Sequence, residues 1–290
     1  MGLCDDVRAA CTAIAKSSRH VTVDLTALDR VEPGPKPKLD PEKHYLDGSV
    51  EDVAMFTLTL DSINFGSGWF PTLRKRPGCS GYNTIAWALT DRFRAHGPWT
   101  SRDLRAMDTT TVAAVLGQEP DHELMMLYAE ALRELGGFLG DQLALDVIAA
   151  ARGSAERLAE QLAAGMPLYS DPGFYKRAQI VPADLALAGI AEFDDLDRLT
   201  IFADNLVPHV LRIDGVLIYE PELAAHIDAE VLLAPGEQEC EIRACAVHAC
   251  EQIAARRGVP PRTLDNWLWN RGQQPRYKAV PRHRTRTTAY

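Results

Sequence analysis

One acid interrupts an apolar run in "LTIFADNLVPHVL", residues 199–211, where Asp204 stands among Leu199, Ile201, Phe202, Leu206, Val207, Val210 and Leu211. An ionised carboxylate away from water is costly unless it is paired, hydrogen-bonded or used in chemistry. Two readings stand: Asp204 caps the helix that follows, as Asp readily does, or it is a working carboxylate. Lys176 raises the same question in "FYKRAQIVPADL", residues 174–185, directly after Phe174 and Tyr175. That setting can desolvate an ammonium and hold it against a carboxylate, whereas a solvated charge at a helix start is the plainer reading, above all for Arg177. In "TLDNWLWNRG" a helix places Asp265 and Trp269 on one face and Asn266 and Asn270 on another, each at spacing four. Flat aromatic surface beside amide and carboxylate edges suits a nucleobase, which is stacked on its ring and hydrogen-bonded at its rim; ordinary packing is the alternative for the tryptophans. In "KHYLDG", His44 lies in a loop beside Tyr45.

The composition sets bounds on this chemistry. The chain has 290 residues, 46% hydrophobic and 24% charged, enough for one large domain or two modest ones. No apolar stretch approaches the ~20 residues of a membrane span, and the acidic, then amphipathic N-terminus is unlike a secretory signal. A cytoplasmic protein is expected. The last twenty residues, 271–290, carry six Lys or Arg and no acid, so this basic tail leaves −15 on the rest of a chain whose formal charge is −9. Folding back onto the body's own carboxylates, or binding a small phosphate, suits such a tail better than duplex binding, which wants a wide basic face. Cys240, Cys245 and Cys250 lie five apart around His248. On a helix they would point about 140° from one another and could not converge on one ion, so they read as buried small residues. The absence of CxxC, HExxH, Walker and GxGxxG patterns removes zinc hydrolases, nucleoside triphosphatases and dinucleotide enzymes as first choices.

The elements that must position these residues are mostly helices. Residues 3–17 form an amphipathic helix, and the four prolines of "EPGPKPKLDPEKH" make the following segment irregular. Ser49 and Asp52 make a capping-box start for "VEDVAMFTLTLDSINF", which alternates like a strand at "FTLTL" but carries Val53, Phe56, Leu60 and Ile63 at helical spacing; helix is expected. "GSGWFP" breaks it. Further helices are expected over Gly81–Ala95, at "TSRDL" and "TTTVAAVL", along "DHELMMLYAEALRELGGFLGD" and "ALDVIAAARGSAERLAEQLAAG", and through "EIRACAVHACEQIAARR". "LRIDGVLIY" suggests a hairpin turning at Asp214–Gly215. "MPLYSDPGF" is the expected boundary between an N-terminal helical lobe, 1–168, and a C-terminal lobe, 169–290, with the site between them.

At this point the residues carry a resemblance. "FTLTLDSINFGSGWF", "FYKRAQIVPADL", "LTIFADNLVPHVL", "EIRAC", "LDNWLWN" and "PRHRTR", in this order from about His44 onward, resemble the queuosine salvage protein family. These are N-glycosylases that release queuine from queuosine 5'-monophosphate. The resemblance implies a mainly α fold akin to helix-hairpin-helix DNA glycosylases with at most a small β-ribbon, no cofactor and no metal.

It also implies roles. Asp204 would stabilise the oxocarbenium-like sugar, electrostatically or as a nucleophile. Lys176 would partner Asp204. Phe202 would contact the base and His44 would hydrogen-bond the ligand from the opposite loop. Asp265, Asn266 and Asn270, beside Trp269, would read the base edge or the cyclopentenediol arm with its secondary amine. Some relatives carry Asp where this chain has Asn270. Asp61, Asn64 and Trp69 line the pocket or brace it, Glu241 and Arg243 belong to a structural ion-pair network, and His283, Arg284 and Arg286 would clamp the 5'-phosphate. A monomer acting on a small molecule is expected, with no membrane and no nucleic acid as partner. Two other readings stay open: a nucleic-acid base glycosylase that flips its target, and a non-catalytic queuine carrier.

Overall fold

The computed structural model describes residues 2–290, and among them the architecture is mainly α. Fourteen helices follow in chain order. The first half carries α1 (Leu3–Ser17), α2 (Val50–Ser62), α3 (Gly81–His96), α4 (Ser101–Arg105), α5 (Thr109–Leu116), α6 (Glu123–Leu139), α7 (Ala144–Ala150) and α8 (Ala155–Gly165). The second carries α9 (Lys176–Leu187), α10 (Leu206–Ile213), α11 (Pro221–Asp228), α12 (Glu237–Arg257), α13 (Pro261–Arg271) and α14 (Pro275–Lys278).

Two helices are buried nearly all round and organise the rest. In α2 every residue from Val53 to Ser62 is buried. Its polar members fit there because Thr57, Thr59 and Ser62 donate their hydroxyls to the carbonyls of Val53, Met55 and Leu58, four residues back. The capping box of Ser49 and Asp52 starts it as expected, so the strand-like alternation of "FTLTL" yields to the helix. In α12 burial runs from Glu239 to Ala254 and includes Cys245 and Cys250. All six cysteines are free thiols. α1 packs on α12, α2 on α9, and α10 on both α12 and α13.

Two expectations need correction. The ribbon is not a local hairpin: β1 (Val21–Val23) pairs antiparallel with β2 (Leu217–Tyr219), Val21 opposite Tyr219. Residues before Asp214 instead end α10, and Gly215, at φ 73°, supplies the left-handed turn that closes a helix. Likewise "ALDVIAAARGSAERLAEQLAAG" is two helices, broken where Arg152 and Gly153 take positive φ and Asp195 accepts the Ala155 N–H at the start of α8.

The basic tail folds back onto the body. Tyr290 O accepts the Gly66 N–H at 2.9 Å, Arg284 O accepts the Leu233 N–H, and His283 O accepts the Asn205 side-chain amide. No helix among the described residues is long and apolar enough to cross a membrane.

Candidate active site

Lys176 opens α9, and its placement begins with Tyr175, whose left-handed φ of 52° turns the chain into the helix. The Lys176 backbone N–H donates to Asp171 Oδ2 at 3.2 Å. The side chain is buried, and its ammonium donates to Asn64 O at 3.0 Å and Asn64 Oδ1 at 3.1 Å. Burial pulls the Lys176 pKa below the usual lysine range, while Asp204 and then Asp61 oppose the shift.

Asp204 both caps and faces outward. Its Oδ1 accepts the N–H groups of Leu206 at 2.8 Å and Val207 at 3.0 Å, satisfying two orphan donors of α10. Its Oδ2 makes no hydrogen bond among the described residues, and the residue is half-buried, so that oxygen is available to a ligand.

The flanking backbone is pinned at three points. Phe202 N–H donates to Asp265 Oδ1 at 2.9 Å, Ala203 O accepts from Arg243 Nε at 2.9 Å, and Asn205 Nδ2 donates to His283 O at 3.0 Å. Three separate elements thus hold the carboxylate before any ligand arrives, which is what electrostatic catalysis requires.

The expected contact between Lys176 and Asp204 is electrostatic and not a direct ion pair. No nitrogen–oxygen pair of these two lies within 4.0 Å, because Asn64 takes the ammonium. Asn64 in turn donates to Asp61 Oδ1 at 3.5 Å.

Three more carboxylates surround Lys176. Asp61 is 1% exposed, its Oδ2 has no hydrogen-bond partner, and burial followed by Asp184 raises its pKa well above the carboxylate range. Burial pushes Asp184 up to about 7, with Lys176 opposing. Burial and then Asp204 raise Asp265. Asp61, Asp184 and His44 line one small cavity together with Leu39, Leu46 and Leu60. The His44 Nδ1–H donates to Asp40 O at 2.9 Å and burial lowers its pKa, so it is a neutral ring with Nε2 left as acceptor. Trp269 stands edge-on to Tyr82 with ring centres 5.9 Å apart, and burial, followed by Asp184 and Asp61, raises the Tyr82 pKa well above the usual phenol range.

Other expected residues lie outside this cluster. Trp69 Nε1–H donates to Glu123 Oε2 at 2.7 Å, and Arg286 meets the same carboxylate at 3.1 Å while lying over the Trp69 ring. Asn270 is exposed and donates to Asn266 O and Oδ1, so this pair satisfies itself on the surface of α13. The phosphate clamp does not assemble as expected: His283 is buried against Tyr290, and Arg284 pairs with Glu230 at 3.4 Å. Arg282 is the tail residue beside Asp204; burial lowers its pKa, Asp204 opposes, and its Nε has no partner. Arg243 belongs to an ion-pair network as expected, but with Asp171 and Glu239. Glu241 instead accepts the N–H groups of Arg19 and His20.

Sequence reasoning left Asp184, Tyr82 and Arg282 unassigned. For Asp184 the signal was present, since "IVPADLAL" sets one acid in an apolar run much as Asp204 is set. Tyr82 and Arg282 had no comparable signal.

Comparison with known proteins bears directly on this geometry. A family profile described as queuosine salvage protein matches residues 43–290. A Sphaerobacter thermophilus protein named queuosine 5'-phosphate N-glycosylase/hydrolase is 34% identical, over 88% of this chain and 86% of its own. Proteins of the same name from Bos taurus, 27% identical over 96% of each chain, and Dictyostelium discoideum, 41% identical over 40% of each, also match. The chain belongs to the queuosine salvage protein family.

Proposed function

We propose that this chain hydrolyses the N-glycosidic bond of queuosine 5'-phosphate and releases queuine, with Asp204 and Lys176 as its catalytic residues. The observation that carries the reading is the Asp204 carboxylate, with one oxygen fixed by two backbone N–H groups and the other free, in a protein whose relatives bear that activity in their names. The C1'–N9 bond breaks with its electron pair going to the base, while positive charge grows on the sugar. Asp204 Oδ2 beneath C1' stabilises that charge. Water then bonds to C1', its proton is lost, and the departing base is protonated, giving queuine and ribose 5-phosphate. A 7-deazaguanine has carbon at position 7, so the usual protonation that helps a purine leave is absent and more of the barrier falls to the sugar side.

The remaining residues bind. Phe202 and Trp269 supply aromatic surface for the base, His44 an acceptor, and Arg282 a guanidinium for the phosphate. The site draws on both halves of the chain, with α2 from one and α9, the Asp204 loop and α13 from the other. Free thiols suit a reducing compartment, and we place the enzyme in the cytoplasm as a monomer. The pairing of Arg284 and Arg286 with the body's own acids speaks against a duplex-binding role for the tail.

The test is incubation of the purified protein with queuosine 5'-phosphate, followed by mass spectrometry for free queuine. Release by the native chain and none by Asp204→Asn is expected. Intact nucleotide recovered from folded native protein overturns the hydrolase; if it is recovered bound, the carrier takes its place.

A further inference from the structure

The Asp61–Asp184 pair is unused by the chemistry above, and its surroundings do not account for it. Asp61 comes from α2 and Asp184 from α9, and both side chains line the same cavity. Asp61 is 1% exposed, yet its Oδ2 has no donor of any kind. A carboxylate oxygen desolvated without a partner is expensive, and a native structure keeps one where something else is to be bound. The near cations are Lys176, whose ammonium is committed to Asn64 O and Oδ1 and is shared electrostatically among Asp61, Asp204 and Asp265, and Arg177, whose guanidinium is committed to the carbonyls of Ser62 and Leu168. Positive charge is in short supply at this end of the site.

A metal ion does not fit the gap. Among the described residues, the set of three potential ligands converging within 4.8 Å is His20, Glu237 and Glu241, on another part of the fold. Asp61 and Asp184 form no such converging set, even with His44 lining the same cavity. A hydrogen-bonding cation does fit. The cavity holds about 10 Å³, room for one small polar group between the carboxylates.

We propose that Asp61 and Asp184 form the receptor for a protonated amine carried on the base, so that the enzyme selects 7-deazaguanine nucleotides whose 7-substituent is an ammonium. This rests on the hydrolase reading and names the part of the substrate that the reading leaves unassigned. A protonated secondary amine has two N–H donors, one for each carboxylate, and charge-assisted bonds of this type are the strong ones. Asp265 Oδ1 holds the Phe202 N–H, and among the aspartates around Lys176 it is Asp61 whose second oxygen is both buried and without a partner. In the empty site the pair retains a proton, in keeping with the upward shifts of both acids; the arriving ammonium displaces it to solvent. Leu39, His44 and Leu46 form the wall away from the two helices and belong to a stretch without helix or strand. The hydroxylated ring beyond the amine therefore displaces this wall while α2 and α9 stay packed.

Three 5'-phosphates separate the possibilities: queuosine, 7-aminomethyl-7-deazaguanosine with a primary ammonium, and 7-deazaguanosine with no arm. Each is assayed for base release with native protein and with Asp184→Asn. The two ammonium substrates are expected to exceed the armless one by about 10- to 100-fold in kcat/KM. That ratio collapses towards one in Asp184→Asn, chiefly through KM. Equal kcat/KM for all three in the native protein overturns the receptor while leaving the hydrolase standing. A variant that loses activity on all substrates but keeps the ratio makes Asp184 merely structural and also overturns it. No cleavage of any substrate overturns the hydrolase and the receptor together. Equal rates in the native protein overturn the receptor whether or not Asp184→Asn folds, and Asp61→Asn, which keeps the side-chain oxygen facing Asn64, is the second variant in which the ratio must collapse.

Discussion

Arg243 and Asp171 are joined by two parallel hydrogen bonds of 3.0 and 2.6 Å, both side chains almost entirely removed from solvent. The pair fastens together the two segments that carry the proposed catalytic residues. Arg243 Nε donates to the carbonyl of Ala203, the neighbour of Asp204, and Asp171 Oδ2 accepts the backbone N–H of Lys176. The Phe174 ring covers the guanidinium at 3.9 Å from its centre. A planar fork with donors to spare can do this; an ammonium cannot hold two parallel bonds and a third at an angle.

Arg243→Met therefore leaves Asp171 buried and unpaired, and denaturant unfolding should show a loss of about 3–5 kcal/mol. Arg243→Lys keeps the charge and loses the geometry. Its folded fraction should release queuine more slowly than the native chain. A native rate per folded molecule would reduce Arg243 to a strut.

The single acid in an apolar run singled out Asp204 and the aromatic flank singled out Lys176, while the roles proposed for them came from the family resemblance. Their relation was not legible, because Asn64 comes between them only when α2 packs on α9. Asp184 carries much the same signature eight residues after Lys176, but its partner Asp61 lies on another helix, and no local pattern joins them. "LRIDGVLIY" misled for a physical reason: Asp-Gly serves a hairpin and a helix end equally well, and the strand that pairs with β2 lies near the other end of the chain. Composition marked the tail as basic and inward-folding but could not rank Arg282, Arg284 and Arg286. Their separate partners are set by the path of an irregular segment across the body.

Capping and catalysis by Asp204 can be separated. Asparagine keeps an oxygen for the N–H groups of Leu206 and Val207 but cannot offer a charged one to the sugar. Asp204→Asn should lose turnover by at least about 100-fold with little change in melting temperature. Asp204→Ala should lose turnover equally and about 1 kcal/mol of stability as well. Equal melting temperatures for the two variants would remove the capping role.

Gly68 marks where the tail crosses the body. A Cβ there would overlap Thr285 O and lie 2.8 Å from Arg286 N, both backbone atoms that cannot swing aside. Gly68→Ala should cost about 1–3 kcal/mol as the tail lifts. Arg282 moves with it, so KM for the nucleotide should rise more than kcat falls. Gly137, inside α6 with open space around its added Cβ, is the control. Gly137→Ala should gain about 0.5–1 kcal/mol and leave KM alone.

Two buried histidines give stability a sign with pH. His209 is 2% exposed, its Nε2–H donates to Tyr277 O at 2.8 Å and its Nδ1 is unpartnered; burial pushes its pKa down to about 4. His283 is 1% exposed, and burial with the nearby Arg243 pushes it down to about 3. In the unfolded chain both titrate near about 6.5. Above that value neither state binds the proton and their contribution is whole. As pH falls below it, the unfolded chain takes up protons that the native state refuses, and stability drops by about 1.4 kcal/mol per pH unit for each histidine until the native rings protonate. Asp61, Asp184 and Asp265 act in the opposite sense, because their raised pKa values let the native state bind protons first. The curve of the native protein alone therefore mixes the two signs, and the difference from His209→Gln or His283→Gln isolates the histidine. Each variant should be the less stable at pH 7.5. The gap should then close by about 1.4 kcal/mol per unit between pH 6.5 and 4.5 in denaturant titrations. A gap that stays constant with pH would mean that the native ring already carries its proton.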